Sequence, residues 1–391
     1  MAVDFPSSPT PGQAYTQGGV TWTFDGVKWV AQGTGTGIYL PLAGGVMTGD
    51  ITLKGDPTAA LQPVTKQMLD ARALAMNDNR IINGDMRIDQ RNNGASGSAA
   101  QYTVDRWAFG ATLATKGTWS QQVNAPPPSE GFPYSLTFVS NSSYSAVAAD
   151  QFIFFQPIEA NQISDFQFGT ANAKSVTLSF WAYASVSGSF SGAIQNYAQT
   201  RSYPFSYSVP AVNTWTKIAV TIPGDTGGTW VMSGNGGGCY VIFDLGSGAT
   251  FRGPANAWAS TTYNGVTGSK SIVATNGATF YLTGVKLEIG SVATPFNRQS
   301  LAKSQADCER YFKLVNTALI VGYNTAGNPV FTSYPIAMRA APTATFSAFS
   351  FNNASAPAMD ASTTSVVNLR VSITATALGY GQGNVALNAE L

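Results

Sequence analysis

The sequence contains no histidine. That absence removes Ser-His-Asp and Cys-His nucleophile systems and histidine-ligated metal sites together. Charge is also scarce: Asp, Glu, Lys and Arg make up 10% of 391 residues, well under the ~25% common in soluble proteins. The net charge is +1 and there are no basic runs, so the electrostatic footprint of a nucleic-acid binder is missing. The two cysteines, Cys239 and Cys308, sit after a glycine-rich turn and in a helical pattern. They make no disulfide framework and are expected as buried free thiols of a chain assembled in a reducing cytoplasm. No run of ~18 apolar residues occurs, and the start MAVDFPSSPTPG has neither a basic nor an apolar leader segment. Neither a secretion signal nor membrane insertion is expected, and no cofactor is implied.

What is present is glycine, serine, threonine, asparagine and aromatic side chains, with 44% apolar residues. This suits a rigid, polar, uncharged β protein of more than one domain. In FPSSPTPGQAYTQGGVTWTFDGVKWVA, Gly18-Gly19 and Asp25-Gly26 read as hairpin turns between short strands, giving a small amino-terminal β module over 1–32. Some 30 residues bury little area alone, so the module needs a partner surface or copies of itself. The linker GTGTG opens a segment, 33–79, that ends in a short helix. There Leu61, Val64, Met68, Ala71 and Ala75 recur at spacings of 3 and 4, an a/d seam. Two heptads do not hold an isolated helix in water, so the seam is read as identical helices packing around an axis. The competing reading is docking on a neighbouring domain of the same chain.

The body, 80–299, is read as an antiparallel β-sandwich, most simply a jelly roll. KSVTLSFWAYASVSG alternates Val176, Leu178, Phe180 and Ala182 with Thr177, Ser179, Trp181 and Tyr183, the period-2 pattern of a strand with one buried face. NTWTKIAVTIPGD, GGCYVIFDLGSG and ATFYLTGVKLEIG repeat it between Gly and Pro turns, and no short repeat points to a β-helix. SLAKSQADCERYFKL reads as a short helix capped by Ser300, with Leu301, Gln305, Cys308 and Phe312 on one stripe. After it the pattern returns to strands, a smaller carboxy-terminal β domain within 300–391, with turns placed at Gly327-Asn328, Asn352-Asn353 and Gly379 to Gly383.

Exposed aromatics flanked by amides stack on sugar rings and hold hydroxyls. Trp230, Trp258 and Tyr263 stand in Gly, Ser and Thr-rich loops, where function concentrates. In the terminal domain Phe331, Phe346 and Phe349 are assigned to the core, leaving Tyr323, Tyr380, Asn353 and Asn384 as surface candidates beside turns. Trp181 and Tyr183 have a competing reading as a subunit or loop contact, and Trp107 is assigned to the core. Asp85, Asp89 and Asp105 would suit Ca²⁺ by ligand type, but Arg87, Arg91 and Arg106 lie as close, and salt bridging is preferred. No carboxylate pair stands out for glycoside hydrolysis.

Four blocks carry a family resemblance: the amino-terminal module, YLPLAGGVMTGDITLKGDPTAALQPVTKQMLDA, IINGDMRIDQRNNG with YTVDRWAFG, and FYLTGVKLEIGSVATPFNRQSLAKSQADCERYF. Their order resembles bacteriophage tail fibres, with a shaft repeat followed by an axial helix, and the body resembles jelly-roll carbohydrate-binding modules in outline. The helix departs from that pattern in ending MLDAR. The resemblance implies an elongated homotrimer in the virion tail, assembled in the host cytoplasm. Its amino-terminal end would attach to a tail or baseplate protein, and its distal end would bind a bacterial surface polysaccharide for host adsorption. The alternatives are a glycan depolymerase or esterase with a site between subunits, and a structural virion spacer. If the seam lines a threefold axis, Val64→Asp with Met68→Asp places like charges where they are not readily desolvated. A fragment ending at Asn79 is then expected to lose its oligomeric mass in sedimentation, and the same mass for both versions would refute the axial helix.

Overall fold

The computed structural model describes residues 4–32, 79–123, 130–323, 330–333 and 336–391. The seam residues Leu61, Val64, Met68, Ala71 and Ala75 lie outside the described residues, as does the side chain of Tyr323. The chain divides into two compact units, Met1–Thr65 and Lys66–Leu391.

In the first unit, β1 (Ala14–Gln17), β2 (Val20–Phe24) and β3 (Trp29–Gln32) form an antiparallel meander. Gly18 and Gly19 both take positive φ, 59° and 81°, which the tight primed turn between right-twisted strands requires. The second turn is held by Asp25, whose Oδ1 accepts the backbone N–H groups of Val27 at 2.9 Å and Lys28 at 2.8 Å. Phe5 stacks on Trp29 at 5.1 Å and meets Trp22 edge-on at 5.4 Å, so the module's small core is aromatic.

The second unit begins with β4 (Gln101–Tyr102), β5 (Ala108–Ala111), β6 (Gly117–Val123), β7 (Tyr134–Ser140) and β8 (Phe152–Glu159). It continues through β9 (Val176–Ala184), β10 (Gly188–Asn196), β11 (Ser202–Val209), β12 (Thr216–Ile222) and β13 (Gly237–Asp244). Then follow β14 (Arg252–Gly253), β15 (Gly265–Val266) and β16 (Thr279–Ile289). Two antiparallel sheets face each other, one ordered β11-β10-β13-β8-β5-β4 and the other β12-β9-β16-β7-β6. The chain crosses repeatedly from one to the other, the winding of a jelly roll. Alternate residues point inward: Phe180 meets Phe243 edge-on at 4.9 Å across the two sheets, and Phe109, Phe138 and Phe154 pack together beside Trp107. Trp107 is fully buried, as its place in a block of the family resemblance implies.

Helix α1 (Leu301–Glu309) is capped by Ser300, whose hydroxyl accepts the Lys303 N–H at 3.3 Å. It is shorter than the helical pattern suggests, and its buried face is Ser304 and Cys308, with Leu301 60% exposed. The cause is tertiary. Tyr311 turns inward to donate to Glu159 at 2.7 Å, and Phe312 already belongs to β17 (Phe312–Tyr323), paired with Asn388. Both cysteines are buried and free. Desolvation pushes the Cys239 thiol up to about 12 and raises Cys308 as well, so neither is a nucleophile near neutrality.

A second sandwich follows, built from β18 (Val330–Ser333), β19 (Thr343–Asn352), β20 (Ala354–Ser362), β21 (Val367–Ile373) and β22 (Leu378–Asn388). One sheet is β17-β22-β19 and the other β18-β21-β20, closing over Ile320, Leu369, Val371, Val385 and Leu387. Gly379, Gly381 and Gly383 are not a turn but the inward positions of β22. A Cβ at Gly383 would meet the Phe349 ring at 2.3 Å, and one at Gly381 would meet Val371 at 2.8 Å. The glycines make room for those side chains. Tyr380 and Asn384, expected beside a turn, therefore stand in mid-strand.

The two cores of this unit are joined by buried charge. Arg106, 1% exposed and at φ +71°, donates to Glu390 and, at 2.6 Å, to the Pro157 carbonyl, with its guanidinium 3.6 Å from the centre of the Tyr311 ring. Arg91 holds the other Glu390 oxygen at 3.0 Å and lies over Phe312. The local acids take other partners: Asp85 pairs with Arg87 at 3.0 Å, Asp105 with Arg91 at 3.9 Å, and Asp89 caps the Asn92 and Gly94 amides. The salt-bridge reading thus holds for Asp85, while Asp105 is held chiefly by Gln90, whose backbone N–H and Nε2 donate to it at 3.1 and 2.5 Å, burial pushes its carboxyl up to about 7, and Arg106 reaches across the chain. Replacing Glu390 by Gln leaves two buried guanidiniums facing a neutral amide, and is expected to destabilise the unit by about 3–5 kcal/mol in urea unfolding. A loss below ~1 kcal/mol would show that the bridge is not structural.

Candidate functional site

The inner faces of the jelly roll are consumed by the core, so the outer face of the six-stranded sheet is decided by strand parity. In β13, Cys239, Val241 and Phe243 face in, which turns Tyr240 and Ile242 out; in β8, Phe152 and Phe154 face in and Ile153 and Phe155 out. Register then aligns them: Ala193, Ile242, Phe155 and Ala108 form one row across β10, β13, β8 and β5, and Gln195, Tyr240 and Pro157 form the next. The first row is apolar with small ends, a trough; the second carries polar tips. Gln101 and Tyr102 on β4 and the loop residues Phe251, Thr262 and Asn264 rise around it, enclosing about 470 Å³.

The polar groups of this groove are organised before any ligand arrives. Gln195 Nε2 donates to Asn264 Oδ1 at 2.9 Å and to the Tyr263 carbonyl at 2.8 Å, and Asn264 Nδ2 donates to Gln151 Oε1 at 3.2 Å. Tyr240 meets Phe155 edge-on at 5.9 Å and stacks on Tyr197 at 5.0 Å and 16°. Burial raises the Tyr240 and Tyr102 phenols above their ordinary range, so both remain neutral hydroxyls. No Asp, Glu, Lys or Arg lines the groove among the described residues. The arrangement offers flat apolar surface, amides and hydroxyls, and no group for proton transfer near neutrality.

The candidates chosen from sequence lie elsewhere. Trp230 and Trp258 are brought together at 5.6 Å, edge-on to each other and to Phe168. Their indole N–H groups are taken by Asp225 at 3.0 Å and the Pro223 carbonyl at 2.8 Å, so they brace a corner of the sandwich. The Tyr263 ring covers Gly253, where a Cβ would meet it at 2.3 Å; only its carbonyl serves the groove. Tyr380 lies opposite Val321, Asn353 donates to the Leu378 carbonyl at 3.1 Å, and Asn384 accepts the Thr317 N–H at 3.1 Å where β17 bulges. Sequence reasoning missed Phe155, Tyr240, Gln195, Gln151 and Asn264. The available signal was parity: in GGCYVIFD the tyrosine alternates out of an apolar inner set.

Asp85, Asp89 and Asp105 do not converge, and no group of three or more His, Cys, Asp or Glu side chains placed to hold a metal exists among the described residues. Among those residues no helix is long and apolar enough to cross a membrane.

No family model matches the sequence, and no curated protein matches it. Solved structures similar to part of this chain include a putative sugar binding protein from Bacteroides thetaiotaomicron, at 10% identity and TM-score 0.32, covering 54% of this chain and 100% of that one. A family 11 carbohydrate-binding module of a Clostridium thermocellum cellulosomal cellulase is similar at 10% identity and TM-score 0.26, covering 50% and 96%. The enzymatically active domain of tailspike protein 4 of bacteriophage CBA120 is similar at 12% identity and TM-score 0.30, covering 54% of this chain and 21% of that one. Likenesses this low carry no functional argument, which rests on the groove itself.

The groove's tyrosine pair depends on Gly237, since a Cβ there would sit 2.0 Å from the Tyr197 ring. Gly237→Ala is expected to displace Tyr197 from Tyr240, change the near-ultraviolet circular dichroism and destabilise the fold by about 1–3 kcal/mol. An unchanged spectrum and melting curve would show that the stack does not depend on this glycine.

Proposed function

We propose that the protein is a bacteriophage tail fibre that holds a neutral bacterial surface glycan in the groove of its six-stranded sheet without cutting it. The observation that carries this is the groove's chemistry: Phe155 and Tyr240 present stacking surface, the exposed Gln101 and Gln199 and the half-buried Gln151 present amides, the buried Gln195–Asn264 pair fixes the wall behind them, and no charge lies among them. A sugar ring has an apolar C–H face and a hydroxyl rim and needs both kinds of surface. The virion role is supported by the order of the sequence blocks, from amino-terminal module through shaft segment and helix to the body. On this reading the amino-terminal end attaches to a tail or baseplate protein, and a homotrimer presents each groove three times, so weak single sites give lasting adsorption through effective concentration. A depolymerase or esterase is disfavoured because the groove lacks the carboxylate pair that glycoside hydrolysis uses and the chain lacks histidine.

The test is affinity electrophoresis of the full chain through gels containing neutral bacterial polysaccharides. Retardation by at least one is expected, and Phe155→Ala or Tyr240→Ala is expected to weaken it about tenfold, the equivalent of ~1.4 kcal/mol. Retardation that survives both substitutions would remove the groove from recognition, and release of reducing ends would replace binding by hydrolysis.

A further inference from the structure

Where the jelly roll joins the terminal sandwich, Arg91, Arg106, Asp105 and Glu390 meet largely out of water. The four charges balance in number but not in geometry. Glu390 takes both guanidiniums, Arg91 on one oxygen at 3.0 Å and Arg106 on the other. Asp105 is left with Arg91 at 3.9 Å, too long for a hydrogen bond. Its side chain is buried, and its oxygens accept from the Gln90 backbone N–H and Nε2. A carboxylate withdrawn from water with no cation in contact is costly to keep ionised. Burial accordingly raises this carboxyl to about 7, with the Glu390 charge adding to the rise and Arg91 and Gln90 opposing it.

The same carboxyl is linked directly to the terminal sandwich. Gln90 Nε2 also donates to the Phe312 carbonyl at 3.0 Å, and Gln90 Oε1 accepts the Leu314 N–H at 3.4 Å. Both partners belong to β17, so one amide spans Asp105 and the first strand of the second sandwich. The other titratable groups around this junction come from every element packed there. Arg91 and Asp89 stand on the preceding turn, where Asp89 is committed to the Asn92 and Gly94 amides. Arg106 and Tyr102 flank Asp105 on its own segment, Cys308 comes from α1, Tyr311 precedes β17, and Glu390 follows β22. Burial raises both tyrosines and Cys308, and the guanidiniums stay protonated, so these groups hold their charge near neutrality.

We propose that Asp105 is a proton-operated latch: its neutral carboxyl lets the terminal sandwich close fully on the jelly roll, and release of its proton to solvent loosens that contact. The oxygens accept from Gln90 in either form, so what changes is charge and not connectivity. In an open, hydrated junction the carboxyl returns to its ordinary 3.8, and the closed form therefore binds the proton more tightly. That contribution to closure is whole below about pH 4, is lost as pH rises, and is gone once pH passes about 7.

Hydrogen–deuterium exchange of the full chain, read as protection factors from about pH 5 to about pH 8, tests the latch. Protection over residues 312–316 and 386–390 is expected to fall by up to about tenfold per pH unit towards pH 7, the slope for one released proton, and to level off above it. The amino-terminal module, which belongs to the other compact unit, should show no such slope; a matching slope there would make the effect general and refute the latch. In Asp105→Asn the slope should vanish, with protection at the alkaline end equal to or above that of the wild type. Gln90→Met removes a donor to the carboxylate and should move the levelling point to higher pH, which keeps the test decisive should the Asn variant not fold. A flat wild-type profile, an undiminished slope in Asp105→Asn, or a levelling point unmoved in Gln90→Met would each overturn the inference.

Discussion

Two facing sheets bury one side of each strand, and that geometric constraint governs most of what this chain does. Because side chains alternate with a period of two, an inward set such as Cys239, Val241 and Phe243 forces Tyr240 and Ile242 onto the outer face. The same logic in β8 and β10 places Phe155 and Gln195 there, and antiparallel register lines them up. The groove is thus a by-product of core formation: its floor cannot move without moving the core beneath it. A binding surface built on paired strands is held more rigidly than one built on loops, which lowers the entropy lost when a ligand orders it.

A second constraint is the treatment of charge. The chain has few ionisable groups, and the structure uses several of them internally. Arg106, Arg91 and Glu390 are withdrawn from water between the two cores of the larger unit, braced by the rings of Tyr311 and Phe312. Such a pair contributes little net energy in isolation but is strongly unfavourable to break, so it specifies how the two sandwiches meet. Tyr102 connects this junction to the groove, since it lines the groove while donating to the Leu391 carbonyl at 3.2 Å and lying under Arg91 at 4.7 Å. Groove and domain junction therefore share a side chain.

Neutrality of the groove has its own physical meaning. Stacking and hydrogen bonding to hydroxyls are short-ranged and insensitive to salt, unlike steering by charge. A groove of amides and phenols with raised pKa keeps its properties over a wide pH range.

The sequence by itself determined the β class, the two hairpin turns at Gly18-Gly19 and Asp25-Gly26, the Ser300 cap, the burial of Trp107 and of both cysteines, and the alternation of the body strands. Each is a local matter, carried by turn chemistry or by a period readable within ten residues. Tertiary structure decided the rest. Helix α1 ended early because Tyr311 was needed at Glu159, and Gly379 to Gly383 became a strand because Phe349 and Val371 required the space. Trp230 and Trp258 turned from loop aromatics into a corner brace because Asp225 and Pro223 accept their N–H groups. The groove joins residues from β4, β5, β8, β10 and β13 with loop residues of 251–264, and no local pattern says which strands will lie side by side. Parity tells which way Tyr240 points; only the register of the folded sheet places it beside Gln195 and next to the row that holds Phe155.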